Sequence, residues 1–239
     1  MKKVQYFLVA AVLAASCSQA QHRYNEGFLA LRDLPNAVKF LPAPPVSGPE
    51  YDKDVEAYEL GKKLREDPKV RDHCIHQDTT DMNTVFNEAL GFKLLQIENH
   101  EIMYLLAGAI RDVRKVSKPA KEYYKRAKPF EVFHEASLKL KADKAMSSST
   151  YAYPSGHAVR SWMYAYVLAD VAPEYKDSLN KCAEDYSKCR VIMGRHWQTD
   201  IDAGKLLSTK VYEKLKQSPA YQAQVKLARE EYEAIKNQK

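Results

Sequence analysis

Tyr153-Pro154-Ser155-Gly156-His157-Ala158-Val159-Arg160-Ser161-Trp162-Met163-Tyr164-Ala165-Tyr166-Val167-Leu168-Ala169 reads as a turn running into a buried helix. Pro154 and Gly156 interrupt regular structure, and the residues after His157 are apolar enough for a helix with neighbours on several sides. The pattern predicts a helix over 156–171, stopped by Pro173. Such a start suits an anion, because the first N–H groups have no partner inside the helix and the helix dipole favours negative charge there. Ser155 adds a hydroxyl. Further on, Cys189-Arg190-Val191-Ile192-Met193-Gly194-Arg195-His196-Trp197-Gln198-Thr199-Asp200 supplies a cation, Arg190, and a histidine and carboxylate four residues apart, which one helical turn places on the same side.

Around this centre almost everything from residue 51 onward has helical period. Helices are predicted over 51–66, ending at Asp67-Pro68; over 80–90, capped by Asp78 or Thr79 and stopped by Gly91; and over 97–116, on a stripe of Ile102, Leu105, Leu106 and Ile110. Pro119 is expected to interrupt that helix and open a new one through 121–126. After the central helix come 174–194, 200–215 and a polar surface helix over 220–236. Residues 129–153 lack clear period, and Met146-Ser147-Ser148-Ser149-Thr150 is loop by composition. No segment alternates as a strand does, and no repeat is visible. The fold class expected is all-α, a single-domain helical bundle.

The N-terminus has the form of an export signal. Lys2 and Lys3 precede an apolar run, Tyr6 to Ala15, that is too short to span a bilayer, and Ser18-Gln19-Ala20 offers a cut before Gln21. The organisation expected is therefore 1–20 signal peptide, 21–50 an extended segment carrying the Pro-rich run Leu41 to Pro49, and 51–239 the helical domain. A cut before Cys17 is the alternative and would leave a lipid anchor there; otherwise no membrane span is expected. Removing the two lysines takes the net charge from +6 to +4. That excess is too small and too dispersed for a nucleic-acid surface, but it suits anionic substrates. Cys182 and Cys189 on one helix lie about 10 Å apart along its axis, beyond disulfide reach, so any internal bridge must use Cys74. No Cys-x-x-Cys pair indicates zinc.

These residues resemble the bacterial class A nonspecific acid phosphatases, members of the type-2 phosphatidic acid phosphatase and vanadium haloperoxidase superfamily. Three blocks carry the likeness. The first, Lys followed after six residues by Arg-Pro, is here Lys121 with Lys128-Pro129; the second, Pro-Ser-Gly-His, is intact at 154–157. The third, Ser-Arg, five residues, His, three residues, Asp, is Cys189-Arg190 with His196 and Asp200. Trp197-Gln198, Asp202-Ala203-Gly204 and the run from Leu41 to Pro45 are also similar, so the resemblance covers roughly 40–205. Two positions depart from it. Lys128 stands in place of an arginine, keeping the charge but losing the planar fork, and Cys189 stands in place of a serine. Arg126 would not replace the missing fork if a helix carried it two residues from Lys128, pointing elsewhere.

The resemblance implies a periplasmic, metal-independent phosphomonoesterase with no cofactor, acting on small phosphomonoesters, and members often self-associate. It assigns His196 as the nucleophile that forms a phosphohistidine, Asp200 as the partner of its other ring nitrogen, and His157 as general acid and then base. Lys121, Lys128 and Arg190, with Ser155 and Gly156, would hold the phosphoryl oxygens. His73, His76, His100 and His134 match no block, and Trp162 and Trp197 read as core, although Trp197 could wall the pocket. The rival readings are a vanadium-dependent haloperoxidase, a lipid-phosphate phosphatase and a non-catalytic phosphate-binding protein.

Overall fold

Each long apolar period in the sequence becomes a helix. The computed structural model describes residues 27–138 and 151–237. Within them run α1 (Ala37–Phe40), α2 (Pro49–Leu64), α3 (Pro68–Thr79), α4 (Met82–Leu90), α5 (His100–Tyr124), α6 (Pro129–Val132), α7 (Gly156–Val171), α8 (Lys176–Ile192), α9 (Gln198–Leu215) and α10 (Pro219–Lys236). Among the described residues there is no strand. The all-α single bundle is as expected. The signal segment, Cys17 and the loop 146–150 lie outside the described residues.

The central helix α7 packs on α5, α8 and α9, and α10 closes the far side of α5. Ala158, Val159, Trp162, Met163, Ala165, Val167 and Leu168 are all buried, so the apolar run is buried on several faces because three helices surround it. Gly204 allows α9 to lie close on the start of α7: a Cβ there would come within 2.8 Å of Ala158 Cβ and 3.0 Å of the Ser155 carbonyl oxygen. That contact brings the Pro154–His157 block against the helix that the His196–Asp200 block leads into.

Three expectations about elements are corrected. Helix α3 was not expected at all; Asp67-Pro68 ends one helix and starts the next, with Pro68 in the first turn and the Asp67 carboxylate accepting the Lys69 N–H at 2.8 Å. Pro119 does not break α5, which runs through it to Tyr124. Pro119 and Lys115, whose carbonyl loses its donor, are both exposed, while Val116 and Ala120 continue the buried stripe on the opposite side. Finally, α4 is capped by Asp81, which accepts the Thr84 N–H at 3.2 Å, and Asp78 is left for another task.

Helix α10 is more than a surface addition. It buries Tyr221, Ala228 and Tyr232, and its Glu231 accepts the Ile102 N–H in the first turn of α5 at 2.9 Å. The segment ahead of α2 is extended apart from a 3₁₀ turn, Leu31–Asp33, and α1. Its carbonyls are structural acceptors: Tyr153 donates to Pro42 at 2.6 Å, Tyr124 to Leu41 at 3.2 Å and Arg126 to Pro45 at 3.1 Å.

Candidate active site

His157 and His196 face one cavity of about 620 Å³, together with Gly156, Lys121 and Lys128. Their ring centroids are 6.5 Å apart. His157 lies in the first turn of α7, placed there by the Ser155 N-cap, whose hydroxyl accepts the Ala158 N–H. His196 reaches the same cavity from the turn between α8 and α9. Gly194, at φ 75°, makes that turn possible, and the N–H groups of Arg195 and His196 fold back onto the Arg190 carbonyl oxygen.

Asp200, in the first turn of α9, is fully buried and saturated with donors. Its Oδ2 accepts the Trp197 N–H at 2.9 Å and faces His196 Nδ1 at 3.2 Å; its Oδ1 accepts Arg126 Nη1 at 2.7 Å. A carboxylate so held accepts a hydrogen bond from Nδ1–H, which fixes the tautomer in which Nε2 carries the ring's lone pair. Burial pushes the His196 ring down to about 4, with Lys121 and Lys128 adding to the effect and Asp200 opposing it. Burial also lowers His157 well below the ordinary histidine value, helped by Arg190, Arg160, His196 and Arg195. Both rings thus favour the neutral form in the anion-free pocket more strongly than an exposed histidine does.

The cations divide into those on the wall and those behind it. Lys121 donates to the Tyr151 carbonyl at 2.7 Å and crosses the turn so closely that a Cβ on Gly156 would sit 3.6 Å from its Cε; burial lowers it to about 8. Lys128 is buried, with its ammonium 5.7 Å from the Phe130 ring centroid. Arg190 is wholly buried: its Nη1 pairs with Asp78, while Nε and Nη2 have no protein acceptor among the described residues. An arginine with two buried donors left over is what an anion site requires, since an unmet buried donor is costly.

One group stands elsewhere than the sequence reading placed it, and two residues stand where they were read. The Ser155 N–H, expected to face the anion, donates instead to the Asp200 carbonyl oxygen at 2.9 Å. Trp197 lies in the core, as read, against Tyr51, Tyr58 and Phe133, with its indole N–H on the Ala127 carbonyl at 2.9 Å, and is not on the described cavity lining. Arg126 indeed points away from the phosphoryl side, though not because a helix turns it, since α5 ends at Tyr124 and Lys125 is left-handed. It runs inward beneath Trp197 to join Asp200 to Asp54, donating to Asp54 Oδ2 and Thr199 Oγ1, each at 2.7 Å.

Asp54, Asp78 and Arg126 were missed as supports of the site. Asp78 binds Arg190 and also Arg195, the latter at 2.7 Å. A bridge between Cys74 and Cys189 ties α3 to α8 beside this pair, and Cys182 is free. Among the described residues, His73, Asp185 and Cys189 come close enough to suggest a metal site, but Cys189 is in the disulfide and His73 already pairs with Asp185 at 2.6 Å.

No family model matches the chain. It is, however, 31% identical over 205 residues to a non-specific acid phosphatase of Providencia stuartii, covering 84% of this chain and 82% of that one. The chain belongs to the non-specific acid phosphatase family. A non-specific acid phosphatase of Salmonella typhi is 28% identical over 228 residues, 94% of this chain and 88% of that one. The fold is shared with a transmembrane PAP2 type phosphatidylglycerolphosphate phosphatase from Bacillus subtilis, at a TM-score of 0.50 and 17% identity over 72% of this chain and 89% of that one. In this phosphatase no helix among the described residues is long and apolar enough to cross a membrane.

Proposed function

We propose that this phosphatase is exported, through a signal peptide over residues 1–20, and hydrolyses phosphomonoesters by way of a phosphohistidine on His196. The observation that carries this reading is the His196–Asp200 pair at 3.2 Å, which commits Nδ1 and leaves Nε2 on the cavity opposite His157. A phosphoryl group between the rings would meet Nε2 on one side and His157 on the other. Nε2 forms the N–P bond as the ester P–O bond breaks, and protonated His157 gives its proton to the departing alkoxide. Neutral His157 then takes a proton from water, whose oxygen attacks phosphorus; the N–P bond breaks and inorganic phosphate leaves.

His157 must carry a proton in the first step, yet burial, helped by the surrounding cations, favours its neutral form in the anion-free site. The substrate works against the second of these causes. A phosphate dianion neutralises Arg190 and its neighbours and so raises the His157 value as it binds. Lys121 and Lys128 on the cavity and the two unmet Arg190 donors behind it offset charge on the equatorial oxygens, with the Gly156 N–H completing the cradle and Ser155, buried as the N-cap, holding that turn in place. No step calls for a metal or cofactor.

The test is rapid mixing with a 32P-labelled alkyl phosphate and an alkaline quench, because a phosphoramidate survives alkali and not acid. Label on His196, abolished together with turnover in His196→Ala, is expected. Substituting His157 should slow an alkyl ester far more than p-nitrophenyl phosphate, whose leaving group needs little protonation. Label on another residue, or an active His196→Ala, ends the proposal. Sequencing the mature N-terminus from the periplasm checks the export signal, with Gln21 expected and a lipidated Cys17 as the contrary result.

A further inference from the structure

The cavity is much larger than one phosphoryl group needs, and its outer part is cationic. Beyond the cradle, α5 presents Arg114 and Lys118 and α7 presents Arg160; the carboxylate on the lining among the described residues is that of Glu122. Arg114, Lys118 and Lys121 are spaced by four and three residues, so they lie along one face of α5. At the rise of an α-helix, Lys118 stands about 4.5 Å and Arg114 about 10 Å along the axis from Lys121. Arg160 enters from the opposite wall, one turn beyond His157, its Nε engaged by the Gly156 carbonyl at 3.2 Å. None of these three cations makes an ion pair among the described residues, whereas Arg190 and Arg195 both have Asp78. Three cations without an ion pair, against the one carboxylate of Glu122 among the described lining residues, focus positive potential on a position one to two helical turns from the phosphoryl site.

We propose that Arg114, Lys118 and Arg160 form a second anion subsite, so that the preferred substrates are small organic phosphates bearing a second phosphate or carboxylate. This rests on the phosphatase reading above for where the first phosphate sits. Among the described lining residues Tyr151 is the one phenol or indole ring on which a base could stack, so the recognised feature is the paired charge and its spacing.

Binding of α,ω-alkane bisphosphonates, which cannot be hydrolysed, tests the subsite without turnover. Isothermal titration should show at least tenfold tighter binding of a bisphosphonate than of the matching alkyl monophosphonate. The advantage should peak at one chain length in the ethane, butane and hexane series and shrink with added salt. In the Arg114→Gln/Lys118→Gln double variant the advantage should fall toward the statistical factor of two, with a smaller loss for the monophosphonate. A wild-type advantage of two or less, or one unchanged in the double variant, overturns the subsite. Failure of the wild type to turn over any ester, with the bisphosphonate preference intact, would strike the phosphatase reading and not this one.

Discussion

Replacing Cys189 by serine restores the residue that the resembled pattern has at that position, and for an unbridged thiol it would be nearly neutral. The disulfide reverses that expectation. Cys74 and Cys189 are 115 residues apart, and closing a loop of that length removes about 4.8 kcal/mol of unfolded-state entropy at 25 °C. For a domain of this size each kcal/mol moves the melting temperature by about 2–4 °C, so Cys189→Ser should melt roughly 10–19 °C lower. Cys74→Ser and the double variant should lose no more than that, because the pair acts as one unit. The loss should also reach the site. Helix α3 buries only Cys74 and Gln77 of its twelve residues, so little apolar contact fixes it, and Asp78 stands one turn beyond Cys74 holding Arg190 and Arg195. Well below the melting point, KM for p-nitrophenyl phosphate and Ki for phosphate should therefore rise together, by more than kcat falls. Calorimetric scans, a non-reducing peptide map and steady-state kinetics provide the assay. A melting temperature within about 3 °C of the parent, with the linked peptides present in the parent map, would refute the loop-closure reasoning.

Two further outcomes follow from buried charges. Lys121, lowered by burial to about 8, is charged below that pH and neutral above it, so phosphate Ki should climb as pH rises through about 8, where phosphate itself is already a dianion. Lys121→Arg, which stays charged, should remove the climb; a break that persists in that variant assigns it to another group. Arg126→Ala leaves Asp54 and Asp200 buried without their shared cation and should cost about 3–5 kcal/mol in urea unfolding, with kcat falling as Asp200 loses its hold on His196. Arg126→Lys should fall between, since an ammonium cannot reproduce the fork that reaches Asp54, Asp200, Thr199 and Pro45 together. A near-neutral Arg126→Ala would show that water can replace the guanidinium.

The parts of this protein legible in its sequence are those whose cause is local. The apolar run after His157 fixes α7 to the residue, Gly91 stops α4, and the four-residue step from His196 to Asp200 becomes an observed pair, because each depends on helical period or on neighbours within a turn. Pro119 misled for a related reason. A proline's cost depends on whether its orphaned carbonyl can reach water, and that is a property of the packed surface, not of the pentapeptide around it.

What escaped was the set of supports whose partners are far along the chain. Arg126 meets Asp54 and Asp200 across 72 and 74 residues, Asp78 meets Arg190 across 112, and Cys74 meets Cys189 across 115. None of these has a local signature: an aspartate near the end of a polar helix looks like a cap, and an arginine after a helix looks like surface. Yet charge balance already required them. A buried His196 beside Asp200 among Lys121, Lys128 and Arg190 has a surplus of cations on one side only, and a buried carboxylate held by donors on both sides keeps its orientation fixed. Asp54 with Arg126 supplies that second side for Asp200, and Asp78 does the reverse for Arg190, using one donor and leaving two for the anion. The two aspartates do opposite work on the same principle: Asp54 holds the cation that steadies the carboxylate beside His196, and Asp78 holds Arg190 with two of its nitrogens left over.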